Sequence, residues 1–167
     1  MTEIINKVAS SGLITFNLED YYVRRERVEL DIKDWLYEGL MLREKDFRET
    51  LKNYNWSLFE NKFVAVFCSA DAVVPTWAFM LISIYLHPFA KKIVFGNLID
   101  LEKSLFDDAL NKIDFSQFKD ERIVIKGCSK IKVPESVYVD VTTRLMPYAK
   151  SIMFGEPCST VPVYKRR

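Results

Sequence analysis

Apolar residues at helical spacing and short apolar runs alternate along the chain, and they predict helices that alternate with strands. Leu101, Leu105 and Ala109 recur at every fourth position, which is the spacing of an amphipathic helix. The apolar runs at residues 63–67 and 123–125 are short enough for buried strands. Strands that alternate with helices indicate an α/β fold with a mostly parallel sheet and helices on both of its faces.

The same order of patterns occurs twice, which indicates an internal repeat. Residues 75–96 align without a gap with residues 134–155, and eight of these 22 positions are identical. Weaker similarity extends the repeat upstream, so that it covers about 42–96 and 101–155. We interpret this as an internal duplication within a single α/β domain that spans residues 1–167.

One segment of the repeat carries conflicting signals. Residues 136–143, SVYVDVTT, are rich in β-branched side chains and alternate, which by propensity favours a strand. Their counterparts at 77–84, WAFMLISI, include Ala, Met and Leu, which favour a helix. Because Val137, Val141 and Leu145 also fit one face of a helix, we predict helices in both halves.

The segment before the repeat predicts a short helix and two strands. Residues 3–9 have a helical pattern, whereas residues 13–17 and 28–32 have the pattern of strands. We expect these two strands to pair as an N-terminal hairpin on the edge of the sheet.

Composition and charge remove several classes of function. The 24 basic and 23 acidic residues give a net charge of +1, so electrostatics provides no case for nucleic acid or an anionic membrane. No GxGxxG or GxxxxGK[ST] motif is present, so the common nucleotide-binding loops are absent. His87 is the only histidine, which excludes HExxH and histidine-rich zinc sites.

The hydrophobic segments also suggest a location. The first residues lack the apolar core of a signal peptide, and the longest apolar stretch, residues 72–86, is shorter than the ~20 residues that span a membrane. We therefore expect a cytoplasmic protein whose three cysteines are reduced thiols.

The three cysteines suggest a metal site. Cys68, Cys128 and Cys158 each follow a predicted strand, and a serine follows each cysteine. If the strands are parallel, all three cysteines lie at the carboxyl edge of one sheet, where α/β folds bind ligands. Three thiolates would form a soft, negative site for zinc or an iron–sulfur cluster. The residues expected to support these sulfurs or to bind a ligand are Ser69, Asp71, Ser129, Lys130, Glu156, Ser159 and Thr160.

The cysteines also allow other interpretations. No CxxC motif is present, and separations of 60 and 30 residues match no zinc ribbon. Cysteine is often a small buried hydrophobic residue, which fits a non-catalytic module that binds a small molecule or a partner. A third interpretation is a thiol enzyme with Cys128 as nucleophile between Lys126 and Lys130. Whether the protein is an enzyme therefore stays open at this level.

The predicted helix at residues 77–86 is apolar on nearly every side, although its counterpart in the repeat carries polar and charged residues. A helix that is apolar all round must be covered on more than one face. Either the N-terminal segment or a second subunit could supply this cover, and we favour a homodimer, because dimers are the commonest oligomers.

Four motifs resemble those of an uncharacterised family of small bacterial proteins, a domain of unknown function. They are CSADAVVPTWA (68–78), VFGNL (94–98), KGCSK (126–130) and GEPCSTVPVYKRR (155–167). The resemblance extends over nearly the whole chain, from residues 6–22 onwards. It implies that the motifs belong together, and it implies no activity.

Overall fold

The computed structural model describes residues 6–8, 12–127 and 130–167, and strands and helices alternate along them. The strands are β1 (Asn6–Val8), β2 (Leu13–Phe16), β3 (Arg27–Asp31), β4 (Phe63–Phe67), β5 (Lys92–Phe95), β6 (Arg122–Lys126), β7 (Ser151–Glu156) and β8 (Ser159–Lys165). The α-helices are α1 (Glu44–Asn53), α2 (Thr76–Leu86), α3 (Leu98–Leu110) and α4 (Glu135–Leu145). Short 3₁₀ helices are at Leu18–Tyr21, Lys33–Trp35, Trp56–Phe59 and Phe115–Phe118.

These elements form two compact units. Unit 1 combines the chain up to Val23 with Leu105–Arg167, and unit 2 is Arg24–Ser104. The α/β class with largely parallel strands is confirmed. The expectation of one continuous sheet is wrong, because the described strands form a five-stranded sheet in unit 1 and a three-stranded sheet in unit 2.

Unit 2 contains the sheet β3-β4-β5, in which all strands are parallel. Its central strand β4 is buried because Val64, Ala65 and Val66 are apolar on both faces. Phe47 of α1 and Ile82 of α2 are fully buried in the core of this unit. Burial of such side chains contributes roughly 1.5–3 kcal/mol each.

Unit 1 contains the sheet β1-β2-β6-β7-β8. The three inner strands β2, β6 and β7 are parallel, and β1 and β8 pair with them antiparallel at the two edges. Ile123 and Ile125 of β6 and Ile152 of β7 belong to the core of this unit. The carboxyl ends of the inner strands therefore share one edge of the sheet, next to the turn between β7 and β8.

The N-terminal segment differs from the prediction. Residues 6–8 form strand β1 instead of a helix, and β1 forms the N-terminal hairpin with β2. The predicted pairing of strands 13–17 and 28–32 is wrong, because β2 lies beside β6 and β3 lies beside β4. The cores explain this: Ile14 packs in the core of unit 1, whereas Leu30 packs in the core of unit 2.

Helix α4 confirms the helical interpretation of the β-branched segment. Val137, Val141 and Leu145 are buried on one face, while Val139 is 67% exposed on the opposite face. Packing of the apolar face thus overrides the strand propensity of the segment.

The two repeats have the same order of elements. Helix α1, a 3₁₀ helix, β4, α2 and β5 follow one another in the first, and α3, a 3₁₀ helix, β6, α4 and β7 do so in the second. A common origin by duplication stays an interpretation of the sequence. Among the described residues, no helix is long and apolar enough to cross a membrane.

Candidate functional site

The described cysteines follow strands of different sheets. Cys68 comes after β4 in unit 2, is half-buried against the core, and its Sγ lies 3.9 Å from the carbonyl oxygen of Ala70. Cys158 is exposed in the turn between β7 and β8 in unit 1. Cys128 and Ser129 lie outside the described residues. The expectation that a single sheet brings all three sulfurs to one edge is therefore wrong, and the metal site itself stays a prediction.

The described part of the chain gives no direct sign of a metal centre. Within it, no group of three or more His, Cys, Asp or Glu side chains is arranged to hold an ion. Cys128 is not part of that search, so the proposed ligand set as a whole is not tested by it.

The loop after β4 is anchored by a carboxylate from the neighbouring strand. The backbone N–H of Ser69 donates to Oδ1 of Asp31 at 3.0 Å, and the Ser69 hydroxyl donates to Oδ2 at 2.5 Å. Burial raises the pKa of Asp31, but the hydrogen bonds from Ser69 and Lys33 and the charge of Lys33 outweigh it and hold this pKa below its usual value. The Ser69 hydroxyl therefore forms its hydrogen bond with Asp31 of the neighbouring strand.

The corresponding loop of unit 1 is held in a similar way. A carboxylate oxygen of Glu19, in the 3₁₀ helix after β2, accepts the backbone N–H of Lys130 and, at 3.2 Å, that of Ile131. In both units, then, a carboxylate at or just after the end of the neighbouring parallel strand accepts backbone N–H groups. Ser69 supplies one of them in unit 2, and Lys130 and Ile131 supply two in unit 1. The side chain of Lys130 is exposed.

Titratable side chains gather at the carboxyl edge of unit 1. Burial raises the pKa of Asp20, the charge of Lys126 opposes this, and that of Glu19 adds to it. Burial also raises the pKa of Tyr138 on α4, with the negative charges of Glu19 and Glu135 acting in the same direction. The sequence interpretation did not include Asp20, Glu19 or Tyr138.

The β7–β8 hairpin places three of the predicted residues. Glu156 pairs with Ser159, and Gly155 pairs with Thr160, whose hydroxyl lies 3.7 Å from the sulfur of Met153. Ser159 is exposed. Oε1 of Glu156 is buried and has no hydrogen-bond partner among the described residues. A buried polar atom without a hydrogen-bond partner lowers the stability of a protein. Glu156 is therefore the predicted site residue whose surroundings most need an explanation.

Asp71 and His87 are both exposed at the two ends of the segment around α2. Asp71 does not cap α2, because the helix starts at Thr76 after Pro75 and has no side-chain cap. His87 is the C-cap residue of this helix.

Unit 2 contains a cavity that the sequence interpretation missed. It has a volume of about 520 Å³ and lies between α2 and the strands β4 and β5. Its lining consists of Val66, Val74, Thr76, Phe79, Met80, Ser83, Ile93 and Phe95. The volume falls within the ~300–1,000 Å³ that is typical of ligand sites. The sequence signal was the apolar character of α2, which we had assigned to a subunit interface.

Large apolar side chains remain exposed around this cavity. Phe95 of β5 is 68% exposed and Met80 of α2 is 62% exposed, and both side chains line the cavity. Phe95 contacts Phe79 edge to face, with ring centroids 4.8 Å apart. An apolar cluster at the mouth of a cavity is typical of a binding surface.

Comparison with known proteins identifies a family and no further relative. The model of a family described as "Protein of unknown function (DUF2480)" matches residues 2–166. No curated protein and no solved structure matches the chain.

Proposed function

Since the chain belongs to the DUF2480 family, whose function is unknown, we propose its function from the geometry of unit 2. The protein is a non-catalytic binding module that takes a small, mainly apolar molecule into the cavity between α2 and β5. The observation that supports this is the 520 Å³ cavity with its exposed apolar mouth.

The lining indicates the chemical class of the ligand. Six of the eight lining side chains are apolar, and the polar groups are the hydroxyls of Thr76 and Ser83. The Ser83 hydroxyl donates to the carbonyl oxygen of Met80 at 2.7 Å, so its oxygen is left to accept from a ligand. A molecule with an apolar body and a single hydroxyl or similar polar group fits this lining.

A fluorescent probe tests the cavity. We expect 1-anilinonaphthalene-8-sulfonate to bind the wild-type protein, and decan-1-ol to displace it. Met80→Glu brings a carboxylate to the mouth of the apolar cavity and should weaken probe binding at least about tenfold, because an unpaired charge resists burial.

The repeat supplies the control. Val139 occupies the position in α4 that corresponds to Met80 in α2, and the two are similarly exposed. Val139→Glu should leave binding of the probe unchanged. Equal weakening by both variants, or no displacement by decan-1-ol, would overturn the proposed cavity.

A thiolate metal centre at Cys68, Cys128 and Cys158, with zinc or an iron–sulfur cluster, stays our second proposal. The supporting observation is Oε1 of Glu156, which is buried without a described partner two positions before Cys158. A carboxylate oxygen of this kind suits a metal ion as an additional ligand.

Metal analysis separates the two proposals. Anaerobically purified protein should contain zinc or iron in proportion to chain, and Cys158→Ser should lower that content. Metal-free protein in which all three thiols react freely would argue decisively against the centre. The thiol-enzyme interpretation predicts instead that Cys128 is alkylated faster than the other two cysteines.

A further inference from the structure

Strand β5 has an open edge. It is the last strand of its sheet, and on its inner side the N–H of Gly96 donates to the carbonyl oxygen of Val66 at 3.0 Å. Backbone groups of successive residues in a strand point to opposite sides, so those of Ile93 and Phe95 point away from β4. In the described part of the chain, no strand pairs with this side of β5.

The corresponding edge of unit 1 is covered. Strand β7 corresponds to β5 in the repeat, and β8 pairs with it antiparallel. Phe154 of β7 lies opposite Val161 and is 40% exposed, whereas its counterpart Phe95 is 68% exposed. Unit 2 therefore has the edge that β8 covers in unit 1, but no strand among the described residues covers it. An open edge with exposed apolar side chains is a template for strand addition.

We propose that β5 pairs antiparallel with β5 of a second copy of this chain, around a twofold axis. The two three-stranded sheets then become one six-stranded sheet. Twofold symmetry makes the same surface serve on both copies, which is the commonest arrangement of a homodimer.

The outward backbone groups fix the register. Ile93 lies opposite Phe95 of the second copy and exchanges two backbone hydrogen bonds with it. Because the twofold axis repeats this pair, the two strands form four hydrogen bonds in all. Val94 then lies at the axis, opposite Val94 of the second copy. The exposed side chain of Phe95 comes to lie beside Ile93 of the second copy, on the apolar face that lines the cavity.

Charge selects the antiparallel arrangement of two identical strands. In this register, Lys92 lies opposite Gly96 of the second copy. The Asp100 side chain occupies the space beside Gly96, and its Oδ2 accepts the N–H of Asn97 at 3.0 Å. Oδ1 of Asp100 also lies 3.9 Å from Nζ of Lys103, so each end of the paired strands brings Lys92 of the second copy close to a carboxylate that already has one lysine beside it. Parallel pairing would instead bring Lys92 close to another Lys92.

The pairing needs no ligand, and although Phe95 also lines the cavity, it is tested on the ligand-free chain, where its failure is distinct from a failure of probe binding. Sedimentation equilibrium of the full chain, without added ligand, should show a reversible dimer. Phe95→Glu should raise the dissociation constant at least about tenfold, because it buries a carboxylate without a counter-charge in the interface.

The matched control is Val161→Glu, which places the same charge on the exposed strand β8, where Val161 is 62% exposed. This variant should dimerise like the wild type. A wild-type chain that stays monomeric, or a dimer that Phe95→Glu leaves intact, overturns the proposal.

A cross-link tests the register even if Phe95→Glu fails to fold. Opposite residues in a non-hydrogen-bonded antiparallel pair have Cα atoms about 4.5 Å apart, which suits a disulfide. Val94→Cys should therefore form a disulfide between two copies under mild oxidation, with the 94–94 peptide identified by mass spectrometry. Val161→Cys should not form a disulfide between its own copies, and a missing 94–94 peptide contradicts the register.

Discussion

In each unit, a carboxylate accepts backbone N–H groups from the described residues that follow the central strand, β4 or β6. In unit 2, Asp31 accepts two hydrogen bonds from Ser69, which is 38 positions away in the chain. In unit 1, Glu19 accepts the N–H groups of Lys130 and Ile131. These contacts were not predictable from the residues themselves, because a carboxylate and its donors meet only after the strands have paired.

We predict that Asp31→Asn destabilises the protein by about 1 kcal/mol at pH 7, because it weakens two charge-assisted hydrogen bonds. The folded-state pKa of Asp31 lies below its unfolded value of about 3.9. Its stabilising effect is therefore complete above that value and is lost as the pH falls through the lowered folded-state pKa. The difference between the two proteins in urea unfolding should shrink under such acidic conditions.

Asp71→Asn is the control for this prediction. Asp71 is exposed in the same loop region, so its loss should change the free energy of unfolding by less than about 0.5 kcal/mol at either pH. A constant difference between wild type and Asp31→Asn down to strongly acidic pH would show that the charge of Asp31 does not stabilise the loop.

At the scale of elements, the repeat predicted more than local propensity did. The β-branched segment of α4 favours a strand on its own, and its alignment with α2 correctly predicted a helix. Residues 6–8 lie outside the repeat, and there the helical pattern misled. Strand pairing was the least predictable feature. The sequences of β2 and β3 have similar local patterns, and the two strands differ only in the core in which each one packs.

Two valines of α4 separate propensity from packing. Val139→Ala should stabilise the protein slightly, by up to about 0.5 kcal/mol, because Val139 is 67% exposed and alanine favours a helix. Val141→Ala should destabilise it by roughly 1–3 kcal/mol, because Val141 is fully buried. Urea unfolding of both variants checks this, and effects of the same sign would contradict our account of α4.

At the scale of the whole molecule, the candidate site was only partly predictable. Parallel strands bring their carboxyl ends to one edge only within a single sheet, and Cys68 and Cys158 follow strands of two sheets. The number of sheets depends on long-range pairing, which local patterns do not encode. The cavity was missed for a related reason, since the apolar faces of α2 and β5 indicate burial in general but not what fills the space between them.

Dimerisation through β5 has a thermodynamic signature in the intact protein. A dimer is stabilised by mass action, so the melting temperature of the wild type should rise with protein concentration. The melting temperature of Phe95→Glu should rise less over the same range of concentrations, because its dimer dissociates more readily. Calorimetry across a range of concentrations measures both, and a wild-type melting temperature that is constant contradicts a reversible dimer.

Tryptophan fluorescence comes from only one of the two units, because all the tryptophans lie in unit 2. Trp35, Trp56 and Trp77 are the three tryptophans of the chain, and all of them lie in Arg24–Ser104. The indole N–H of Trp56 donates to the carbonyl oxygen of Leu51 at 2.7 Å in the core, and Trp77 packs against Phe47. Intrinsic tryptophan emission therefore reports on unit 2 alone, whereas far-ultraviolet circular dichroism reports on helices of both units. Comparing the two signals during unfolding distinguishes loss of one unit from loss of both.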